Sequence, residues 1–309
     1  MAEEGRQAIR RLGIHTSTAG SLENAALHAA ELGANTFQIF SSSPRMWRAR
    51  MPDPAQVKLL KAARRRFDLR PLAIHVSYLV NLASADPVIR AKSIAAFRGE
   101  LERAAAIGAE YLVLHPGSYR GRSVEEGIAD FAAALRDAAA GFHSRGLTVL
   151  LENTAGAGSH LGSRFEELAS IREQAGGLID LPMGYCLDTC HLLAAGFDIS
   201  TPAGLRATVG SAERLLGMAN VRVFHVNDSK TPLGSHVDRH ANIGEGHIPL
   251  AAFRRILRHP KLRGKPFILE TPIDKPGDDR RNLDTLKRLA RISQTPGARA
   301  SVEGRKLGD

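Results

Sequence analysis

Residues 111–152 read YLVLHPGSYRGRSVEEGIADFAAALRDAAAGFHSRGLTVLLE, and this stretch decides the architecture. Two short apolar runs, YLVLH (111–115) and TVLLE (148–152), flank a segment (124–146) whose apolar residues recur on a helical period and which ends at a glycine. Strand, helix and strand in that order make a βαβ unit, whose two strands run parallel. Each run closes on a residue able to ligate a metal, His115 or Glu152.

The same punctuation continues in both directions. PLAIHV carries His75, MGYCLD ends at Asp188, VRVFH at His225 and PFILE at Glu270. These six residues recur every 36 to 45 positions, about the length of one strand, one helix and two loops. RLGIHTS (11–17) and NTFQIF (35–40) supply two earlier strands, and 93–109 is a further helix, so eight strands and eight helix candidates can be counted. The pattern predicts an α/β chain folded as a single-domain TIM (β/α)8 barrel over residues 8–292, in which the C-terminal strand ends converge on one mouth. Residues 1–7 and 295–309 have little apolar content and are expected to be flexible termini.

Composition narrows the class. No Pro/Gly/Ser-rich linker divides the 309 residues, no run of about 18 apolar residues exists, and the N-terminus carries no signal pattern, so a soluble cytoplasmic protein without a membrane partner is expected. Cys186 and Cys190, four apart in CLDTC, read as buried thiols; Cys186 shares strand parity with Asp188 and should lie beneath it in the barrel. A net charge of +10 favours a polyanionic partner. The runs at Arg64, Arg65 and Arg66 and at Lys287, Arg288 and Arg291 contribute to that field rather than acting as assigned contacts.

Three more ligand-type residues lie in loops: His191 in DTCH, and Asp238 and His240 in DRH. Nine His, Asp and Glu side chains aimed at one mouth would leave buried charge uncompensated unless cations sat among them. Imidazole mixed with carboxylate suits zinc or manganese in an open catalytic site, and nine ligands imply more than one ion. His15, at an earlier strand end, reads as a hydrogen-bonding histidine behind the ligands. The glycines of HANIGEGHIP read as a turn presenting Asp238 and His240 rather than as a phosphate cradle.

Seven phrases carry a resemblance: HVSYLVNLA (75–83), LHPGS (114–118), ENTAGAGSHLG (152–162), CLDTCH (186–191), HVNDSK (225–230), DRHANIGEGHI (238–248) and LETP (269–272). Together they resemble the ordered motif set of endonuclease IV, a family of trinuclear-zinc apurinic/apyrimidinic endonucleases, from His15 to about residue 290. The resemblance implies three Zn2+ ions, with Mn2+ the alternative in one or more sites. His75 and His115 would hold the first ion and Glu152 would bridge it to the second. Asp188, His225 and Glu270 would complete that second site, and His191, Asp238 and His240 would hold the third. Glu152 and Glu270 are the expected catalytic carboxylates.

The family further implies a duplex DNA partner with abasic or 3′-blocked lesions, incised on the 5′ side of the lesion to leave a 3′-hydroxyl and a 5′-deoxyribose phosphate. Arg45, Tyr78 and Leu79 match its DNA-contacting residues, and a monomer associated with the nucleoid when bound to DNA is expected. The chain departs from the family's pattern at Val76, at SSSPRMW, and at Ala157 and His160. None of these removes a ligand; they bear on DNA contacts and lesion range. Trp47 shares the Arg45 loop and reads as its anchor. Two rivals are a metal-dependent sugar isomerase or epimerase on the same barrel and a damage-binding protein without turnover. Neither calls for the His191, Asp238 and His240 trio.

Overall fold

The computed structural model describes residues 10–291 of the protein. Strands and helices alternate from the start: β1 (Leu12–His15), α1 (Leu22–Glu31), β2 (Thr36–Phe40), α2 (Pro54–Arg66), β3 (Leu72–His75) and α3 (Pro87–Ile107). The middle of the chain adds β4 (Tyr111–Leu114), α4 (Val124–Ala139), β5 (Thr148–Glu152), α5 (Phe165–Gly176) and β6 (Met183–Asp188). Then come α6 (Thr189–Ala194), α7 (Pro202–Leu215), β7 (Val221–His225), β8 (Asp228–Ser229), β9 (His240–Ala241), α8 (Leu250–Arg258), β10 (Phe267–Leu269) and α9 (Asp278–Ala290). Eight of the strands close a parallel barrel in the order β1-β10-β7-β6-β5-β4-β3-β2, while β8 and β9 form a small antiparallel pair outside it. The expected termini 1–7 and 295–309 lie outside the described residues.

Strand parity builds the site. Side chains alternate across a strand, and in β5 Val149 and Leu151 turn outward to the helices while Leu150 and Glu152 turn inward. Ala73, Val113, Leu150, Cys186, Val223 and Ile268 form one buried apolar layer inside the barrel. Two residues beyond each of them stands His75, His115, Glu152, Asp188, His225 or Glu270. A dry floor therefore lies directly under a ring of ligand-type side chains. Cys186 belongs to that floor, as its parity with Asp188 predicts.

Helix boundaries follow their caps. Asp86 caps α3 by accepting from the Val88 and Ile89 amides, and Pro87 opens its first turn, so the helix begins before the apolar period starts at residue 93. Ser123 and Glu126 form a capping box at the start of α4. That helix ends at Ala139, seven residues short of the expected 146, because Ala140 leaves the helical region and Gly141 has φ +66°. Among the described residues there are nine helices rather than eight. The extra one, α6, is six residues long and follows β6 without a loop, too short to show a period in sequence.

Candidate metal centre at the barrel mouth

Glu152 is fully buried at the centre of the ring. Its Oε2 lies 3.0 Å from His75 Nε2 and 3.2 Å from His115 Nε2, whereas Oε1 lies 2.8 Å from His225 Nδ1. One carboxylate thus faces two separate nests of ligand atoms, one with each oxygen. Burial alone would raise its pKa, but His225 and His115 outweigh that and hold the carboxyl well below the usual range.

The nine candidate ligands fall into three groups whose ligand atoms approach within 4.8 Å of one another: His75 with His115 and Glu152; Glu152 with Asp188, His225 and Glu270; and His191 with Asp238 and His240. These are the sets that the resemblance implies. Two further groups include a cysteine, Glu152–Cys186–His225 and Asp188–Cys190–His240. Burial pushes both thiols up to about 12, so each is present as a neutral thiol rather than a thiolate ligand.

The ring nitrogens are oriented by the main chain. His75 Nδ1 donates to the Val76 carbonyl (2.7 Å), His191 Nδ1 to the Asn153 carbonyl (2.9 Å) and His240 Nδ1 to the Glu270 carbonyl (3.1 Å). A neutral imidazole with its proton on Nδ1 offers its lone pair at Nε2. His191 Nε2 and His240 Nε2 are buried without a hydrogen-bond partner, and both point toward Asp238, at 3.2 and 3.4 Å. Buried polar atoms are seldom left unpaired. Two converging lone pairs beside a carboxylate are what a divalent cation requires, so this donor set fits the ions that the family implies. Without a cation the proton takes that place: burial opposes it, but Asp188, Asp238 and Glu152 raise the His191 pKa to about 10.

Asp188 and His191 lie one turn apart because Asp188 caps α6, its Oδ1 accepting from the His191 amide at 2.8 Å. The amide of Asn227 donates to Asp188 Oδ2 (2.6 Å), and Asn227 Oδ1 accepts from the Glu270 backbone (2.8 Å), tying two candidate ligands on different strands. Asp238 rides on the connection between β8 and β9, and His240 opens β9. Asp228 of β8 is fully buried and accepts from the amides of Ser229, Gly244, Gly246 and Ile248, so it holds the loop that follows β9. The glycine-rich loop does cradle an anion, and the anion is the protein's own carboxylate. Gly246 is required by the close approach, since a Cβ there would sit 2.3 Å from the Ser229 carbonyl oxygen.

The other expected residues are placed as follows. His15 Nδ1 is 3.9 Å from Glu270 Oε1, behind the ring, and burial lowers its pKa. Tyr78 is 64% exposed, and Leu79 beside it is half-buried; Tyr78 lines a cleft of about 300 Å³ with His75, His115, His160 and Asp238. Arg45 is exposed on the loop after β2, which Ser77 Oγ ties to the Tyr78 loop by donating to the Pro44 carbonyl at 2.6 Å. Trp47 lines a groove against Ala91, Lys92, Ala95 and Ala96 of α3. Val76 is buried, and its carbonyl orients His75.

Sequence reading missed Gln38. It is fully buried in β2, pairs in register with His15, and hydrogen-bonds both Glu270 and His225. The available signal was an amide at the centre of the otherwise apolar run TFQIF.

Known proteins point the same way. A family model described as a xylose isomerase-like TIM barrel matches residues 27–292. The chain is 75% identical over 280 residues to a protein of Solibacter usitatus named "Probable endonuclease 4", covering 91% of this chain and 97% of that one. A protein of the same name from Chloroflexus aurantiacus is 40% identical over 282 residues, 90% of this chain and 98% of its own. The crystal structure of endonuclease IV from Thermus thermophilus is similar with a TM-score of 0.79 at 40% identity, covering 90% and 98% of the two chains. A D-tagatose 3-epimerase-like protein, at 21% identity and a TM-score of 0.65, shares the fold.

Proposed function

The chain belongs to the endonuclease IV family of DNA-repair hydrolases, and from that premise we propose that it hydrolyses the phosphodiester 5′ to an abasic site in duplex DNA. The products would be a 3′-hydroxyl and a 5′-deoxyribose phosphate, and 3′-blocking groups would be removed by the same chemistry. The observation that carries this reading is the division of the Glu152 oxygens between two nests of ligands, with a third nest built from two orphaned imidazole nitrogens and Asp238.

His75 and His115 with Glu152 would hold one ion. Glu152, Asp188, His225 and Glu270 would hold a second, and His191, Asp238 and His240 a third. Zinc fits this nitrogen and oxygen set, with manganese the alternative. When bound, such ions would lower the pKa of a water and neutralise charge on the phosphoryl group. The protein's own residues do the rest. The main-chain carbonyls of Val76, Asn153 and Glu270 fix which imidazole nitrogens face the mouth, and the apolar floor excludes water from below. Tyr78 and Leu79 would wedge into the minor groove and Arg45 would fill the gap in the stack, an insertion that costs least where a base is already missing.

The catalytic unit is the single barrel 8–292, acting as a cytoplasmic monomer on nucleoid DNA. Among the described residues no helix is long and apolar enough to cross a membrane. Elemental analysis of purified protein, coupled to incision before and after chelation, tests the proposal. Three ions per chain and loss of incision that zinc restores are expected; full activity after every ion has been stripped would overturn it.

A further inference from the structure

β2 contributes TFQIF to the barrel, and the inward positions on the neighbouring floor are apolar, yet Gln38 brings a primary amide into the interior. It is level with His15 on β1 and with Ala73 on β3, immediately below the ligand ring. Three groups surround the amide. Its Nε2 lies 2.5 Å from Glu270 Oε1 and 3.1 Å from His15 Nδ1, and its Oε1 lies 2.9 Å from His225 Nε2.

Those contacts admit one assignment of hydrogens. An ionised carboxylate only accepts, so the amide must turn its NH2 toward Glu270. The amide oxygen is thereby turned to His225 Nε2, and an oxygen there needs a proton on that nitrogen. With Nε2 protonated, the lone pair of a neutral His225 is on Nδ1. That atom lies 2.8 Å from Glu152 Oε1 and 3.2 Å from Glu270 Oε2, in the middle of the carboxylates. The second N–H of Gln38 reaches His15 Nδ1, which accounts for both amide protons.

We propose that Gln38 is a positioning residue for a divalent cation: it commits His225 to coordination through Nδ1 and holds the Glu270 carboxylate toward the same point. The inference rests on the metal-centred reading above and adds to it a residue that is not itself a ligand. It also explains the residue type. Asn would be one methylene too short to reach, Glu would set a second carboxylate against Glu270, and an apolar residue would leave the His225 ring free to turn. His75, His191 and His240 are oriented by backbone carbonyls. Nε2 of His225 faces a side chain instead, so its orientation can be removed by substitution.

A purely structural amide predicts a different outcome. Removing one partner of a buried hydrogen bond leaves the other unsatisfied and lowers stability, but if the amide were only structural it would leave cation binding unchanged. The test therefore uses Gln38→Leu and Gln38→Met, the second being unbranched and tolerant should the first fail to fold. Protein labelled with 15N-histidine and loaded with zinc is measured by long-range 1H–15N correlation, with His225 assigned from a His225→Asn spectrum, and zinc affinity is measured by chelator competition.

In the unsubstituted protein the His225 proton should be on Nε2 and slow to exchange. In the variants that proton should exchange faster and zinc affinity should fall about 10- to 100-fold, the usual cost of removing a group that orients a ligand, with the folded state retained. A proton on Nδ1, or a folded Gln38→Met variant that matches the parent in zinc affinity, would overturn the inference alone. A parent protein that takes up no zinc would overturn the metal-centred reading as well.

Discussion

At the scale of single residues, the site depends on carboxylates that are buried because cationic partners surround them. Glu270 joins Glu152 in this: burial would raise its pKa, but His225 holds it well below the ordinary carboxylate range. Glu270→Gln removes the charge and keeps the shape, so it should retain the fold and lower incision by more than the roughly 100-fold expected for the loss of an orienting group. Near-normal turnover, measured on labelled abasic duplex, would contradict the assignment. The metal-free protein should also respond to pH through His191. Its folded pKa of about 10 lies above the unfolded value near 6.5, so its ion pairing stabilises fully below about pH 6.5 and is lost as pH rises through about 10. Thermal unfolding of stripped protein should fall from pH 7 to pH 10 more steeply than that of zinc-loaded protein, and parallel curves would contradict this.

At the scale of elements, the segment after β7 is the most instructive. Asp228 gathers four amides and so fixes the loop that follows β9 and its His240, although burial works against its charge and raises its pKa. Asp228→Ala would leave those donors unpaired at about 1–3 kcal/mol for each one that stays buried. The variant should unfold at lower temperature and lose the His191, Asp238 and His240 ion first, and a variant with unchanged metal content would contradict that role. This device was not legible in the sequence, because DSK and GEG are well separated along the chain and nothing local relates a carboxylate to amides it meets only after folding. The six strand-end candidate ligands were legible, because each closes an apolar run and the runs recur at barrel spacing. Gln38 was not, since one amide in TFQIF does not disturb the reading as a core strand. α6 was hidden for another reason: one and a half turns after a strand leave no periodicity to detect.

At the scale of the whole molecule, parity and closure do together what no single motif does. Eight parallel strands bring residues from His15 to Glu270 into one mouth, over a floor of six buried side chains. The net charge of +10 gives the chain as a whole a balance suited to a polyanionic partner. Binding to abasic duplex should therefore weaken steeply with salt, by about 10³ to 10⁵ between 50 and 200 mM if six to ten phosphates are engaged; fluorescence anisotropy would show it, and a flat profile would argue against backbone contacts.

The central claim, that this barrel mouth is a hydrolytic abasic-site centre, is tested most directly on a duplex carrying one reduced abasic analogue, which β-elimination cannot cleave. Zinc-loaded protein in magnesium-free buffer should cut on the 5′ side of the analogue and leave a 3′-hydroxyl. No cut by protein shown to contain its metal ions would contradict the account.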